Sequence, residues 1–233
     1  MDPKTRSMSN GESKYGTDYL GVHKKVYERK RADGEPGWSD PSTVNRMRRI
    51  VRDGLERQGI SGGRLLELGC GDGSLSIALA ADGFEAFGVD VVPMAVSWAR
   101  DKASAAGTRA SFQVGNAFEL PYSDRAFDLV IDALCSHCII GGDRSGFFGE
   151  AFRILRRGGL LVAVCMCGEP PEELKEYFDY DSRCLVRNGI AGRYIGLPED
   201  IIGEAERAGF RALDWWTQTD EEQQEELVLY GTR

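Results

Sequence analysis

The stretch RLLELGCGDGSLSIALA, Arg64 to Ala80, runs from an apolar segment through an acid, Glu67, into glycines at 69, 71 and 73 and then into a helix-forming segment. Glycines there admit backbone angles closed to other residues and let a ligand approach the main chain without meeting a Cβ. A helix expected over about 75–81 would aim unpaired amides and its positive dipole end at the same point, which suits a carboxylate or phosphate. A G-x-G turn alone also opens dinucleotide folds and ordinary tight turns. A second element narrows the reading: AFGVD delivers Asp90, followed by Val91, at a strand end about twenty residues on, where a carboxylate can accept from both hydroxyls of a ribose. The two together describe a nucleoside cleft. Structural roles compete at each position, since Asp90 could instead cap a helix. Glu67, a carboxylate within an apolar strand, could instead brace the loop by hydrogen bonding.

At Glu67, Gly69, Cys70, Gly71, Asp72 and Gly73 the chain resembles the class I S-adenosylmethionine-dependent methyltransferases, whose first motif places an acid two residues before a G-x-G-x-G turn. A nicotinamide-binding turn would more often read G-x-G-x-x-G; here Ser74 and Leu75 stand where its last glycine would be sought. The resemblance continues through Val114, Gly115, Asn116 and Ala117, with Asn116 in place of a commoner Asp, and through FDLVID at 127–132. It ends in AFRILRRGGLLVAVCMC, where Arg157 replaces the proline of an L-x-P-G-G turn, and so spans about 60–168. The resemblance implies S-adenosylmethionine as cofactor and S-adenosylhomocysteine as product. It assigns Glu67, Gly69, Cys70, Gly71, Gly73, Asp90, Val91, Asn116, Ala117, Asp132 and Ala133 to the cofactor side, with the glycines on the methionine part, Asp90 on the ribose, and Asn116 and Ala117 on the adenine.

From Arg64 onward short apolar strands alternate with helix-period stretches, which calls for a mainly parallel sheet covered on both faces. The expected fold is therefore α/β: a doubly wound, Rossmann-like, seven-stranded sheet whose tail, ALDWWTQT and EELVLYGTR, forms a hairpin with an antiparallel final strand. Ahead of it, residues 15–59 read as a helical cap, with a helix near 18–31, a turn at Gly34-Glu35-Pro36-Gly37 and a helix after Asp40-Pro41. Residues 1–14 are polar and Ser-rich; they read as a disordered tail, their first seven residues as an expression leader ahead of a start at Met8. The domain proper is taken as 60–233, with 168–197 a substrate lid carrying Tyr177 and Tyr194.

At 233 residues, 42% hydrophobic, the chain can build one well-cored domain. No apolar run is long enough to span a membrane and no apolar leader opens the chain, so a cytoplasmic location is expected, in keeping with six cysteines outside any disulfide framework. A net charge of −8 argues against nucleic acid. The basic residues at 24–31 are interleaved with Glu28, Asp33 and Glu35 as on a solvated helix face. Residues 132–135 are Asp-Ala-Leu-Cys, not the Asn/Asp-Pro-Pro-aromatic element of nucleic-acid amino methyltransferases. The expected partner is a small molecule and the expected assembly a monomer or homodimer.

A sulfonium donor already carries an electrophilic methyl carbon, so aligning the acceptor and excluding water is the main catalytic task. A hydroxyl or protonated-amine acceptor gains from a general base, and His137, in CSHCII beyond the fourth strand, is the candidate. Trp38 and Tyr19 of the cap are candidates for closing the substrate pocket. A rival chemistry is carried by Cys135, His137, Cys138, Cys165 and Cys167, soft ligands that could hold zinc or present a metalloid or thiol substrate; the competing role is core filling, and no metal is expected. Two other classes stay open: an oxidoreductase binding NAD through the same turn, and a noncatalytic S-adenosylmethionine-binding module.

Overall fold

A computed structural model of the protein describes residues 14–35, 37–220 and 224–233. The proposed tail and leader, with Met8, lie outside the described residues but for residue 14; so do Pro36 of the cap turn and residues 221–223 of the acidic turn in the final hairpin.

Two helices precede the sheet, α1 (Tyr19–Ala32) and α2 (Pro41–Arg57). Both start where the sequence provides a capping carboxylate: Asp18 accepts from the Gly21 amide at 2.7 Å, and Asp40 from the Ser42 and Thr43 amides at 2.7 and 3.1 Å, with Pro41 in the first turn, where no amide is needed. The sheet comprises β1 (Arg64–Leu68), β2 (Glu85–Asp90), β3 (Ser111–Val114), β4 (Phe127–Ala133), β5 (Leu155–Met166), β9 (Arg211–Thr219) and β10 (Glu225–Thr232). Their order is β3-β2-β1-β4-β5-β10-β9; β10 runs antiparallel to both neighbours and the pairs among β1 to β5 are parallel. This is the expected seven-stranded, doubly wound sheet, and the winding reverses between β1 and β4.

Alternation along the strands assigns the two faces. Leu65, Leu129, Ile131, Val162 and Val164 pack with Met47, Ile50 and Val51 of α2 and with Leu75 and Leu79 of α3 (Ser74–Ala81). Leu66, Leu68, Val130, Leu161 and Ala163 pack with Phe147, Phe148 and Ile154 of α5 (Asp143–Ile154) and with Ile201 and Ile202 of α6 (Pro198–Arg207). Beside α3 runs α4 (Pro93–Ala105), whose Val96, Ala99 and Ala103 close over Cys70 and Phe112. Each fully buried Leu or Ile of this set contributes about 1.5 to 3 kcal/mol. The cap is fastened to the first face by Tyr230, whose hydroxyl donates to the Ile50 carbonyl at 2.7 Å while its ring occupies the space left by Gly54.

The stretch expected to be a lid contains a second, three-stranded antiparallel sheet, β6 (Phe178–Asp179), β7 (Cys184–Arg187) and β8 (Ile190–Tyr194), preceded by a 3-10 turn at Glu172–Tyr177. Its hairpin turn, Asn188-Gly189, takes left-handed backbone at both residues. The Arg183 guanidinium donates to the carbonyls of Ile195, at 2.9 Å, and Gly168, tying the two ends of the excursion together. Among the described residues no helix is long and apolar enough to cross a membrane.

Candidate active site

A cavity of about 360 Å³ opens over the carboxyl ends of β1, β2 and β4, where the winding reverses. Its floor is the glycine turn. Gly69 and Gly71 stand at φ +64° and +56°, and a Cβ would sit 2.5 Å from the Cys135 Sγ at Gly69 and 2.7 Å from the Tyr27 hydroxyl at Gly71. No other residue fits this bend so close to its neighbours.

The Asp90 carboxylate holds the turn against β2. It accepts from the Gly71 amide at 2.9 Å on one oxygen and from the Val92 amide at 2.8 Å on the other. Only 8% of the residue is exposed, and burial raises its pKa while the two amides pull it down. Each oxygen keeps further acceptor capacity beside the cavity, enough for a vicinal diol. One strand further on, the Gly115 amide donates to the Asp90 carbonyl at 3.0 Å, which brings Asn116 and Ala117 to the same rim. The donor set and the bare backbone fit an adenosyl ligand.

Glu67 projects from β1 toward α3, where its carboxyl accepts from the Ser76 amide at 3.0 Å and from the Ser76 hydroxyl. Burial, with Asp72 and Asp90 nearby, pushes its pKa up to about 8. The carboxyl is therefore held largely protonated at neutral pH, and it both braces the turn and lines the cavity.

Of the other residues singled out above, Cys70, Val91, Ala133, His137, Trp38 and Tyr19 also line the cavity. Four do not. Gly73 caps α3 at φ +75°, where a Cβ would meet Phe112 and Ala99, so it serves close packing of the helix. Asp132 is fully buried below the rim and accepts from the Cys135 and Ser136 amides at 2.8 and 3.0 Å, holding the loop after β4. Tyr177 is exposed beneath Arg187, and Tyr194 lies under Arg144, 4.0 Å from ring centre to guanidinium, beside a different depression.

The loop after β4 is fixed from below. Arg144, itself buried, pairs with Glu204 and donates to the carbonyls of Ser136 at 2.7 Å and Ile139 at 3.2 Å. This seats His137 at 7% exposure, with its Nδ1 buried and without a partner among the described residues. Burial and the positive charge of Arg193 depress its basicity well below the usual imidazole range. A proton taken up there would add a buried cation beside that of Arg193, which disfavours a general-base role.

The cysteines divide. Cys70, Cys135 and Cys138 line the cavity, whereas Cys165 and Cys167 pack into the α5 side of the core. Burial raises the pKa of all five thiols, which keeps them protonated, and among the described residues no group of three His, Cys, Asp or Glu is placed to hold a metal.

Several lining residues carry no local sequence signal. Tyr27 lies over the glycine turn with its hydroxyl against Gly71, its ring tilted against that of Trp38 at 4.7 Å between centres. Glu226, 1% exposed at the start of β10, is held by Arg46, with a second contact at 3.1 Å, and by Gln218 at 3.1 Å. Arg193 reaches the cavity from β8, and Pro171, Glu173 and Leu174 reach it from the same excursion. Only the tertiary fold brings these segments to one place.

Residues 66–163 match the family model of a methyltransferase domain, and over this stretch the chain is similar to class I S-adenosylmethionine-dependent methyltransferases. A demethylmenaquinone methyltransferase of Thermus thermophilus is 35% identical over 147 residues, covering 59% of this chain and 66% of that protein. In fold the chain is similar to the [4+2]-cyclase SpnF, with a TM-score of 0.72 at 20% identity over 95% of this chain and 99% of the other. It is likewise similar to the 1,6-didemethyltoxoflavin-N1-methyltransferase of Burkholderia thailandensis, solved with its substrate and S-adenosylhomocysteine, with a TM-score of 0.68 at 19% identity over 91% and 88% of the two chains.

Proposed function

We propose that this protein is an enzyme that transfers the methyl group of S-adenosylmethionine to a small-molecule acceptor. The observation that carries the reading is Asp90, a buried carboxylate pinned by two backbone amides at the edge of a cavity floored by Gly69 and Gly71. Asp90 would accept from the ribose hydroxyls, Asn116 and Ala117 would border the adenine, and the glycine turn would take the methionine part. Bound there, the donor supplies an electrophilic methyl carbon.

The chain's own contribution is alignment and dryness. Tyr19, Tyr27 and Trp38 from the cap, and Pro171 and Leu174 from the excursion, enclose the space beside the loop after β4, which supports reading 15–59 as a cap and 168–197 as a lid. The absence of a strong base at His137 favours an acceptor that arrives already nucleophilic. A small-molecule acceptor agrees with a partly enclosed cavity that carries six carboxyl groups and one guanidinium among its described lining residues, a setting adverse to a polyanion. Thiols held protonated accord with a reducing, cytoplasmic setting.

Isothermal titration with S-adenosylmethionine, S-adenosylhomocysteine and NAD tests the assignment. Micromolar-range binding of the two sulfur ligands without NAD is expected; NAD binding alone would overturn it. Release of S-adenosylhomocysteine on incubation with an acceptor library separates an enzyme from a binding module.

A further inference from the structure

Arg193 is the one lysine or arginine among the described residues lining the cavity, and it forms no ion pair among them. The six carboxylates of the lining do not serve it. Glu67 is bound to Ser76, Asp72 to Lys102, Asp90 to backbone amides, Asp220 to the Gln224 amide and Glu226 to Arg46, and Glu173 is exposed on the 3-10 turn. A guanidinium left without a counter-ion in a partly enclosed space is costly unless an anion completes it.

The surroundings orient it. Tyr19, on the turn of α1 before His23, offers its carbonyl to the His23 Nδ1 at 2.8 Å, which makes Nδ1 the protonated nitrogen and leaves Nε2 to accept from Arg193 at 3.3 Å. A second anchor is the Gly192 carbonyl, 2.7 Å from the same Nη1. Both interactions engage Nη1, leaving the rest of the guanidinium fork uncommitted. His137, nine-tenths buried, lines the same cavity and lies near enough to Arg193 and His23 to feel the charge of both. A neutral imidazole there can donate one N–H to an anion that the guanidinium also binds.

We propose that the acceptor carries an anionic group, a carboxylate or an ionised hydroxyl, that docks on Arg193 between His23 and His137. The inference rests on the methyltransferase reading and adds the acceptor's charge to it. Where the docked oxyanion is itself the methyl-accepting atom, no proton has to be removed, which fits a histidine held neutral.

The chain has two histidines, and both flank Arg193, so their ring signals report the subsite directly. Protein labelled with ¹⁵N-histidine is saturated with S-adenosylhomocysteine, then titrated with benzoate and, separately, with the uncharged isostere benzamide up to about 50 mM, the range in which a weak fragment is seen. Benzoate is expected to shift both rings and to bind at least about tenfold tighter than benzamide. Arg193→Gln should abolish the difference and Arg193→Lys should keep part of it, with S-adenosylhomocysteine affinity unchanged in both. No benzoate response, an equal response to benzamide, or a preference that survives in R193Q overturns the proposal. Loss of S-adenosylhomocysteine affinity in R193Q would assign the guanidinium to the donor's own carboxylate and equally overturn it. Failure of the wild-type protein to bind S-adenosylhomocysteine at all is a separate result, which removes the methyltransferase reading while the benzoate titration still reads the subsite.

Discussion

The half of the cavity over β1 and β2 is built on two short stretches, 67–75 and 89–91, with 115–117 on its rim and Tyr27 and Trp38 above it, while the half over β4, β5 and β10 draws on Tyr19 and His23 of α1, the loop after β4, the excursion at 168–197 and the start of β10. The first half is backbone held by backbone: left-handed glycines, and a carboxylate that accepts from two amides. The second is side chain held by side chain, through Arg144 with Glu204, Arg46 with Glu226 and His23 with Arg193. A ligand component shared by a large family can be met by main-chain geometry, which tolerates sequence change except at the glycines and at the carboxylate that holds them. A component peculiar to one enzyme has to be met by side chains, which diverge freely. The donor would then belong to the first half and the acceptor to the second.

That contrast can be broken most decisively at Gly71. Gly71→Val places a branched side chain at φ +56° against Tyr27, and S-adenosylhomocysteine affinity by calorimetry should fall about hundredfold or more, since the left-handed backbone alone costs 1 to 2 kcal/mol and the clash adds to it. Affinity within threefold of wild type would show that the turn is not the donor floor. Gly73→Ala, by contrast, should lower the melting temperature through contact with Phe112 and Ala99 before it changes affinity, because that glycine serves packing.

Asp90→Asn replaces a carboxylate accepting two amides and should weaken S-adenosylhomocysteine by about 1 to 3 kcal/mol, roughly 5- to 150-fold. An unchanged dissociation constant takes Asp90 out of the ligand site.

Glu67 sharpens the comparison through pH. Its pKa in the folded chain is raised to about 8, so the folded state holds a proton that the unfolded state has released above the ordinary glutamate range. This contribution to stability is complete at acid pH and falls as pH rises from about 4.5 through 8. Melting temperatures across that range should decline less steeply in Glu67→Gln than in wild type; parallel curves would show that the carboxyl is ionised in the fold.

The smallest effect is expected at Tyr177→Ala, an exposed ring outside the cavity. Turnover and donor affinity should stay within about twofold of wild type, as for surface substitutions generally. A large loss would restore Tyr177 to the acceptor side.

Local patterns carried the fold. Strand runs such as LLEL and FDLVIDA, the capping acids Asp18 and Asp40, and prolines at helix starts each declare their element within a few residues. The small sheet at 178–194 escaped because its strands are only two to five residues long, too short for a period to be read. At the site, Asp90 and the glycines were legible because spacing alone defines a strand end and a bend. Asp132 also sits at a strand end, yet its carboxylate turns into the fold to hold the Cys135 and Ser136 amides.

The sequence by itself determined the alternation of strands and helices, the glycine turn and the acid one crossover away, because each depends on backbone preferences within a short window. Tertiary structure alone decided which aromatics reach the cavity, that His137 is buried and neutral, and that Arg193 faces it from β8 without a counter-ion. Burial and electrostatic environment are sums over neighbours distant in the chain, and no local window contains them.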